Sequence, residues 1–418
     1  TLIAKVIELV AKARREKSSI ERFIEKFSRY YTPAVLSVSA VVALAFPIMF
    51  GGDIYSWTYR ALTLLVISCP CALVISIPVA MVSGIIGSAR NGMLVKGGKY
   101  LEHLAKVNVI AFDKTGTLTK GELTLSSIHT IDTSEDHLLR IAASLSQYST
   151  HPIAEVVVKE ASRRGIKLLD VESFRSVPGK GVVAEVSGEL YLMGNEDLLK
   201  EHGISVPIEF LSIFKHAGST LAIVASREKV LGVLGFEDEL RPEAADVIRE
   251  LKEMGFKVVM LTGDHREVAE KIASKLGIDE YFAELLPSDK VDVIKKLMGR
   301  RERHVAMVGD GINDAPALAR SCVGIAMGTG TEVAIESGDV VLMKPDLKKI
   351  PYLADLSRST LSVIKQNVTA SIVVKLTLAV LAILGIVSLW TAVLVGDMGL
   401  SLAVIANSLR LSKFHWQP

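Results

Sequence analysis

The sequence has 418 residues, half of them apolar, with a formal net charge of +2 and a mean hydropathy of +0.38. It is too long for one ordinary core and too apolar for a wholly soluble protein, so a membrane protein carrying soluble domains is expected, and the near-neutral charge gives no case for nucleic acid as a partner. Three cysteines, two of them flanking a single proline, make no disulfide framework, because i and i+2 side chains are badly placed to bridge; metal ligation or packing remains.

Residues 1–29 form a charged amphipathic helix pattern without the apolar core or cleavage site of a signal peptide. Residues 33–50, 59–82, 367–385 and 390–409 approach or reach the roughly 20 apolar residues a bilayer requires. The links 51–57 and 386–389 carry no Lys or Arg, whereas 5–29, 90–106, 344–365 and 410–413 are basic. By the positive-inside rule two helical hairpins therefore bracket a cytoplasmic insert, and both termini face the cytoplasm.

Within the second span, Pro70 removes a backbone donor and opens the helix, so the thiols of Cys69 and Cys71 and nearby carbonyls can turn toward one ion. A lone membrane cysteine is more often a small apolar residue. Lys375 and Asp397 are charged groups in or at the edge of apolar segments, where an unpaired charge costs several kcal/mol and suggests function, although a purely structural ion pair would satisfy both. Gly97 and Gly98 stand in a basic juxtamembrane stretch with Arg90, Lys96 and Lys99, which suits lipid headgroups.

The insert reads as α/β. Residues 107–113, 257–264 and 304–310 are short β-branched runs ending on Asp113, Asp264 and Asp310, as buried parallel strands would, with helical patterns at 242–254, 267–276 and 290–297. A doubly wound sheet binds its ligands at such strand ends. Residues 118–235 change pattern, with helices at 134–146 and 153–164 and then alternating strands, which points to a separate inserted domain. A single Asp after a strand is more often a turn or cap residue. Four matched segments in order, Asp113-Lys114-Thr115-Gly116-Thr117, Thr262-Gly263-Asp264, the stretch ending at Lys290, and Asp310 to Asp314, point to a shared site.

The first of these resembles the phosphorylation motif of the P-type ATPases, and the resemblance covers nearly the whole chain. It implies a haloacid-dehalogenase-like doubly wound phosphorylation domain, an inserted α+β nucleotide-binding domain and transmembrane α-helices. The expected division is a linker helix at 1–32, a hairpin with the Cys-Pro-Cys motif at 33–90, the phosphorylation domain at 91–125 and 235–350, the nucleotide domain at 126–234, and a last hairpin at 351–418. The resemblance makes Asp113 the nucleophile toward the γ-phosphate of ATP, beside Lys114. It makes Lys290 a cation and Thr262 a hydrogen-bond donor to phosphate, with Gly263 and Asp264 beside it, and Asp310 and Asp314 the oxygen ligands of Mg²⁺. Thr115 stands where related phosphatases carry a second Asp, so the acyl phosphate would survive to drive a conformational change. His151, Pro152, Gly179, Gly181 and Asn195 resemble the family's nucleotide-binding features, but Ser146 occupies a position where a Glu is usual.

The Cys-Pro-Cys motif resembles the heavy-metal branch, in which Gly97-Gly98 would belong to the cytoplasmic platform where cargo arrives. The surroundings of Asn367, Lys375 and Asp397 look like those of the zinc, cadmium and lead exporters. In copper(I) exporters a Met typically stands at Asp397 and a Tyr-Asn pair at Gln366-Asn367. Thiolates with a carboxylate also suit a borderline divalent ion. Cys69, Cys71 and Asp397 are the expected ligands of Zn²⁺ or Cd²⁺, with Lys375 as counter-charge, while Cys322 is expected in the core. The implied location is the plasma membrane, with lipid as partner. Complete pumps also carry N-terminal spans and an actuator domain with a Thr-Gly-Glu motif; these 418 residues contain no such tripeptide, and the missing parts are expected on a further segment or chain. A copper(I) exporter, a membrane-tethered phosphatase without transport and a non-pumping metal sensor are the rival readings.

Overall fold

The structure is a computed structural model that describes residues 19–51, 53–206, 220–299, 304–310, 314–328 and 336–414. Most of the expected N-terminal linker helix and residues 311–313 lie outside the described residues. The main helices are α1 (Ser19–Leu44), α2 (Ile54–Ile67), α3 (Cys71–Arg90), α4 (Glu135–Ser146), α5 (Pro152–Arg163), α6 (Arg266–Leu276), α7 (Pro287–Met298), α8 (Lys349–Ile383) and α9 (Leu400–Leu409). The strands are β1 (Met93–Val95), β2 (Val109–Asp113), β3 (Thr119–Thr130), β4 (Val171–Val177), β5 (Gly181–Val186), β6 (Glu189–Gly194) and β7 (Thr220–Ser226), followed by β8 (Val230–Leu240), β9 (Lys257–Leu261), β10 (Glu280–Phe282), β11 (Val305–Gly309), β12 (Val323–Met327) and β13 (Val340–Leu342). The chain divides into two compact units, one of Thr1–Ala111, Arg249–Lys257 and Pro287–Pro418, the other of Phe112–Ile248 and Val258–Leu286.

In the first unit, four helical stretches among the described residues are long and apolar enough to cross a membrane: Arg29–Phe50, Ile54–Arg90, Lys349–Ile383 and Leu389–Lys413. All four contain or overlap the expected spans. The third begins well before residue 367, because nothing after Pro351 interrupts α8, whose early residues Leu353, Leu356, Ser357 and Thr360 are already buried. The face of α3 that carries Ala72, Ser76, Ala80, Gly84 and Gly87 is made of small residues, which lets neighbouring backbones approach closely. A Cβ on Gly84 would come within 2.8 Å of Thr360 Oγ1, and one on Gly87 within 2.6 Å of the Leu411 carbonyl. The Gly97-Gly98 pair opens a short helix, Gly98–Leu104, and Gly98 packs on Met81.

This unit also holds the strand order β1-β13-β12-β11-β2. The pairs β11/β12 and β12/β13 are parallel, and β1 closes the edge antiparallel to β13. Every residue of β2, β11 and β12 is buried, as expected of parallel strands covered on both faces. Cys322, expected in the core, is only partly buried, because it precedes β12 rather than lying within it.

In the second unit, six antiparallel strands run in the order β3-β8-β7-β6-β5-β4. Alternation along β5 decides the two faces. Val182, Ala184 and Val186 pack under α4 and α5 with Leu138, Leu145 and Val157, while Val183 joins Leu198, Leu199 and Ile223 on the other side. The Ser134 hydroxyl caps α4 by accepting from the His137 N–H at 3.3 Å. The expected boundaries at 125/126 and 234/235 fall inside β3 and β8, which pair from Thr119↔Leu240 to Thr130↔Gly232. The strand end of β2, then β9 and the parallel β10, joined in chain through α6, complete this unit.

Candidate functional site: a membrane metal set, a phosphorylation motif and a nucleotide cavity

The helix that enters the second span stops at Ile67 and restarts at Cys71, with Pro70 between them at φ −79°, ψ 25°. The interruption changes where the cysteines point. Their Cα atoms are 5.5 Å apart and the two sulfurs are joined as a disulfide, contrary to the expectation that i and i+2 cysteines cannot bridge. That expectation holds for regular structure, and Pro70 removes the regularity. Across from them, Asp397 sits in a π-helical stretch, Ala392–Gly399. Such a local widening of a helix recurs at functional sites. One ligand atom each from Cys69, Cys71 and Asp397 lies within 4.8 Å of the others, and all three residues are half-buried.

Lys375 projects from α8 into the same place. Its ammonium donates to the Ile67 carbonyl at 3.0 Å and to the Cys69 carbonyl, two acceptors freed by the break in the helix. Its Nζ stands 3.8 Å from Asp397 Oδ1, so the expected ion pair is present at the long end of contact. One turn or more toward the start of α8, Asn367 donates to the Val404 carbonyl at 3.3 Å and to Ser408 Oγ at 3.0 Å, and accepts from Asn407 at 2.8 Å. These bonds fix α8 against α9.

The residues expected to carry phosphorylation fall on both units. In the second unit, Asp113 is the last residue of β2 and is buried. Lys114 pairs with Asp264 at 2.6 Å. Thr115 is exposed and extended, and Gly116 turns the chain with φ +71°, a conformation that favours glycine. The Thr262 hydroxyl accepts from the Asp264 N–H at 3.1 Å, which leaves its own proton to donate. Gly263 passes close to the Leu285 carbonyl, which a Cβ would approach to 3.2 Å.

In the first unit, Lys290 donates to Asp314 Oδ1 at 2.6 Å and both side chains are buried. The second oxygen, Asp314 Oδ2, is buried without a hydrogen-bond partner. Asp310 directly follows β11 and is half-buried. Gly309 has no side chain to obstruct Asp314, whose Oδ2 would lie 2.7 Å from any Cβ there.

Two residues not anticipated from sequence hold the motif loop. Arg241 donates to the carbonyls of Thr117 and Gly116, at 2.9 and 3.3 Å. Asp238 accepts from the Thr119 hydroxyl at 2.5 Å and from the Gly121 N–H at 3.0 Å. Burial pushes the Asp238 carboxyl above its ordinary range, against those hydrogen bonds. Asp238, Lys114 and Asp264 line one open cavity of about 780 Å³, together with Glu237 and Lys271. The only sequence signal was a run of acids and an Arg-Pro following a strand.

His151, Pro152, Gly179, Gly181 and Asn195 all line a second cavity, of about 580 Å³. His151 is the N-cap of α5, its Nδ1 accepting from the Ile153 N–H at 3.2 Å, so in this geometry any ring proton lies on Nε2. Asn195 caps the next helix through Leu198 N–H at 3.1 Å and donates to the Gly179 carbonyl at 3.1 Å. Gly179 and Gly181 have φ of +74° and +148°. A Cβ on Gly181 would lie 2.2 Å from the Met193 carbonyl. Ser146 also lines the cavity, but its hydroxyl turns to Met193 Sδ at 3.5 Å.

The family model of the haloacid dehalogenase-like hydrolases matches residues 107–321. A probable cadmium-transporting ATPase of Staphylococcus aureus strain MRSA252 is 43% identical over 423 residues, which cover 99% of this chain and 58% of that protein. A zinc/cadmium/lead-transporting P-type ATPase of Escherichia coli K12 is 42% identical over 410 residues, 98% of this chain and 55% of that protein. The chain thus spans little more than half the length of these relatives. The crystal structure of a zinc-transporting PIB-type ATPase in its E2.Pi state superposes with a TM-score of 0.84 at 42% identity, covering 97% of this chain and 66% of that one. Spans, strand-end motifs and relatives agree: this chain is an integral membrane protein that belongs to the haloacid dehalogenase-like hydrolases and is similar, over nearly its whole length, to heavy-metal-transporting P-type ATPases.

Proposed function

We propose that this chain supplies the phosphorylation, nucleotide-binding and metal-binding parts of an ATP-driven pump of the cell membrane that exports Zn(II), Cd(II) or Pb(II). The observation that carries the reading is the meeting of Cys69, Cys71 and Asp397 within 4.8 Å, beside the ammonium of Lys375. Two thiolates and one carboxylate suit a borderline divalent ion better than soft, monovalent copper(I). The ligating form is the reduced pair, because the thiolate is the metal ligand.

In this reading Asp113 attacks the γ-phosphorus of ATP. A bond forms from its carboxylate oxygen to phosphorus, the bond to the β–γ bridging oxygen breaks, and ADP leaves. Lys290 offsets the charge that gathers on the phosphoryl oxygens, and the Thr262 hydroxyl donates to one of them. Asp310 and Asp314 fit Mg²⁺, being hard oxygen donors of which one oxygen is buried and unpartnered, and the ion when bound would neutralise the phosphates. Thr115 offers no carboxylate to activate water, so the aspartyl phosphate persists. The second cavity takes the nucleotide, with His151 against the base and the glycines allowing close backbone approach. The remaining spans and an actuator domain of the whole pump would complete the cycle.

The test is ATP hydrolysis by the full-length protein in lipid with Zn(II), Cd(II), Pb(II) or Cu(I), beside Asp397→Ala. Divalent stimulation that falls at least about tenfold in the variant is expected, a loss typical of a metal ligand. Stimulation by Cu(I) alone would overturn the cargo assignment. Hydrolysis indifferent to metal would favour a tethered phosphatase, and metal binding without hydrolysis a sensor.

A further inference from the structure

Ser76 on α3 and Ser371 on α8 are 0% and 1% exposed, and neither hydroxyl has a hydrogen-bond partner. This is unusual for the helices that carry them. Ser88 on α3, Ser357 and Thr360 on α8, and Ser408 on α9 all donate to the carbonyl four residues earlier. A hydroxyl buried in hydrocarbon surroundings without a partner is unfavourable unless water or a ligand meets it. Alanine would pack as well in either place and avoid that cost, so the hydroxyls are not there for the fold.

Their position along the helices gives them a common role. Ala72 and Val374 belong to one packed cluster with Leu400 and Val404, and Gly84 faces Thr360. With α3 and α8 antiparallel, interpolating between those contacts puts Ser76 at the level of about residue 369 of α8, within about 3 Å along the axis of Ser371. Ser371 lies about 6 Å, one turn, to the cytoplasmic side of Lys375, and Ser76 about 7.5 Å to the cytoplasmic side of Cys71. One turn further out is Asn367, whose side chain is fully engaged between α8 and α9. Among the described residues of α3 and α8, the two hydroxyls are therefore the fully buried, unpartnered groups nearest the metal set on its cytoplasmic side.

We propose that Ser76 and Ser371 form a hydroxyl station on the cytoplasmic side of Cys69, Cys71 and Asp397. There an arriving divalent ion exchanges hydrogen bonds of its water shell for protein oxygens before the thiolates take it. The proposal rests on the exporter reading. A divalent ion cannot leave bulk water in one step without a large desolvation cost, so a partly hydrated stage needs acceptors for the protons of its bound water. Neutral hydroxyls supply them and do not hold the ion, whereas a carboxylate or thiolate at that depth would trap it.

The experiment uses the full-length protein in lipid vesicles, with zinc-stimulated ATP hydrolysis measured against free zinc and zinc bound at equilibrium measured separately. In Ser76→Ala and Ser371→Ala the half-stimulating zinc concentration should rise about threefold each, and about tenfold in the double variant, the worth of one and two hydrogen bonds. Equilibrium zinc stoichiometry and affinity should stay as in the wild type. Ser371→Thr, which keeps a hydroxyl, should behave as the wild type, and so should Ser357→Ala, which removes a hydroxyl bonded within its own helix. An unchanged half-stimulating concentration in the double variant overturns the station. So does a matching loss of equilibrium affinity, which would make the serines part of the resting site. If the wild type itself is not stimulated by zinc, the exporter reading fails and the station fails with it.

Discussion

At Gly181 the backbone adopts φ +148°, and the Met193 carbonyl leaves no room for a side chain. Gly181→Ala must push β5 off β6 at the rim of the second cavity. A loss of about 2–4 kcal/mol in stability is expected from strain and clash together. Nucleotide affinity should fall at least about tenfold, since a loop displaced this way no longer lets the phosphates approach the backbone. Calorimetric unfolding and nucleotide titration of the same preparation would check both. Asp113→Asn should abolish the acid-stable phosphoenzyme formed from radiolabelled ATP while leaving nucleotide binding intact, because the amide is a poor nucleophile and the cavity lined by His151 is not altered. Arg241→Ala should also lower phosphoenzyme yield, with nucleotide binding kept, because Arg241 secures the carbonyls of Gly116 and Thr117 rather than the nucleotide.

At the scale of elements, α5 carries a compact charge cluster. Glu160 accepts from Arg163 at 2.7 and 2.8 Å and from Arg164 at 2.8 Å. Arg163 above all, with help from Arg164, holds the Glu160 carboxyl down to about 2, from an ordinary 4.5, against the upward push of burial. A depressed carboxylate contributes its stability above its unfolded pKa, and that contribution is lost as pH falls from about 4.5 toward about 2. Glu160→Gln should therefore lower the unfolding midpoint slightly at neutral pH, by about 2 °C, since exposed ion pairs contribute little. The difference from the wild type should vanish near the acid end of that range, as read by circular dichroism melts across pH. Much at this scale was legible in the sequence. The β-branched runs became β2, β9 and β11 within a few residues, because parallel strands buried on both faces need continuous apolar residues. β2 ends on Asp113 as expected, while the other two stop earlier where a turn begins, β9 at Leu261 and β11 at Gly309. The expected limits at 125/126 and 234/235 fall within strands, because β3 and β8 run on through them as one antiparallel pair. The hold of Arg241 on residues 124 and 125 positions away, the seating of Asp238 and the π-helical turn at Asp397 depend on contacts across the fold, and no local pattern announces them.

At the scale of the molecule, the charge asymmetry of the loops sets a testable orientation. Ser388 lies in the link between the last two membrane stretches, and Lys348 just precedes α8 on the basic side. In intact cells carrying a variant without its native cysteines, Ser388→Cys should react with a membrane-impermeant maleimide and Lys348→Cys should not, until the membrane is permeabilised. The reverse pattern would invert the positive-inside assignment. In the exporter proposed above, this orientation makes the cytoplasm the side from which ions would reach Cys69 and Cys71.

Lys375 gives this arrangement a further property. An ammonium has three protons, and here two of them are engaged by the Ile67 and Cys69 carbonyls. Its attraction to Asp397, at 3.8 Å, is one of charge without a close hydrogen bond. The amine is thus moored to the backbone, and the carboxylate rests against it like a door left ajar. In the proposed exporter, an ion that drew Asp397 away would break no tight bond, and when the ion left, the stationary amine would still be there to meet the returning carboxylate.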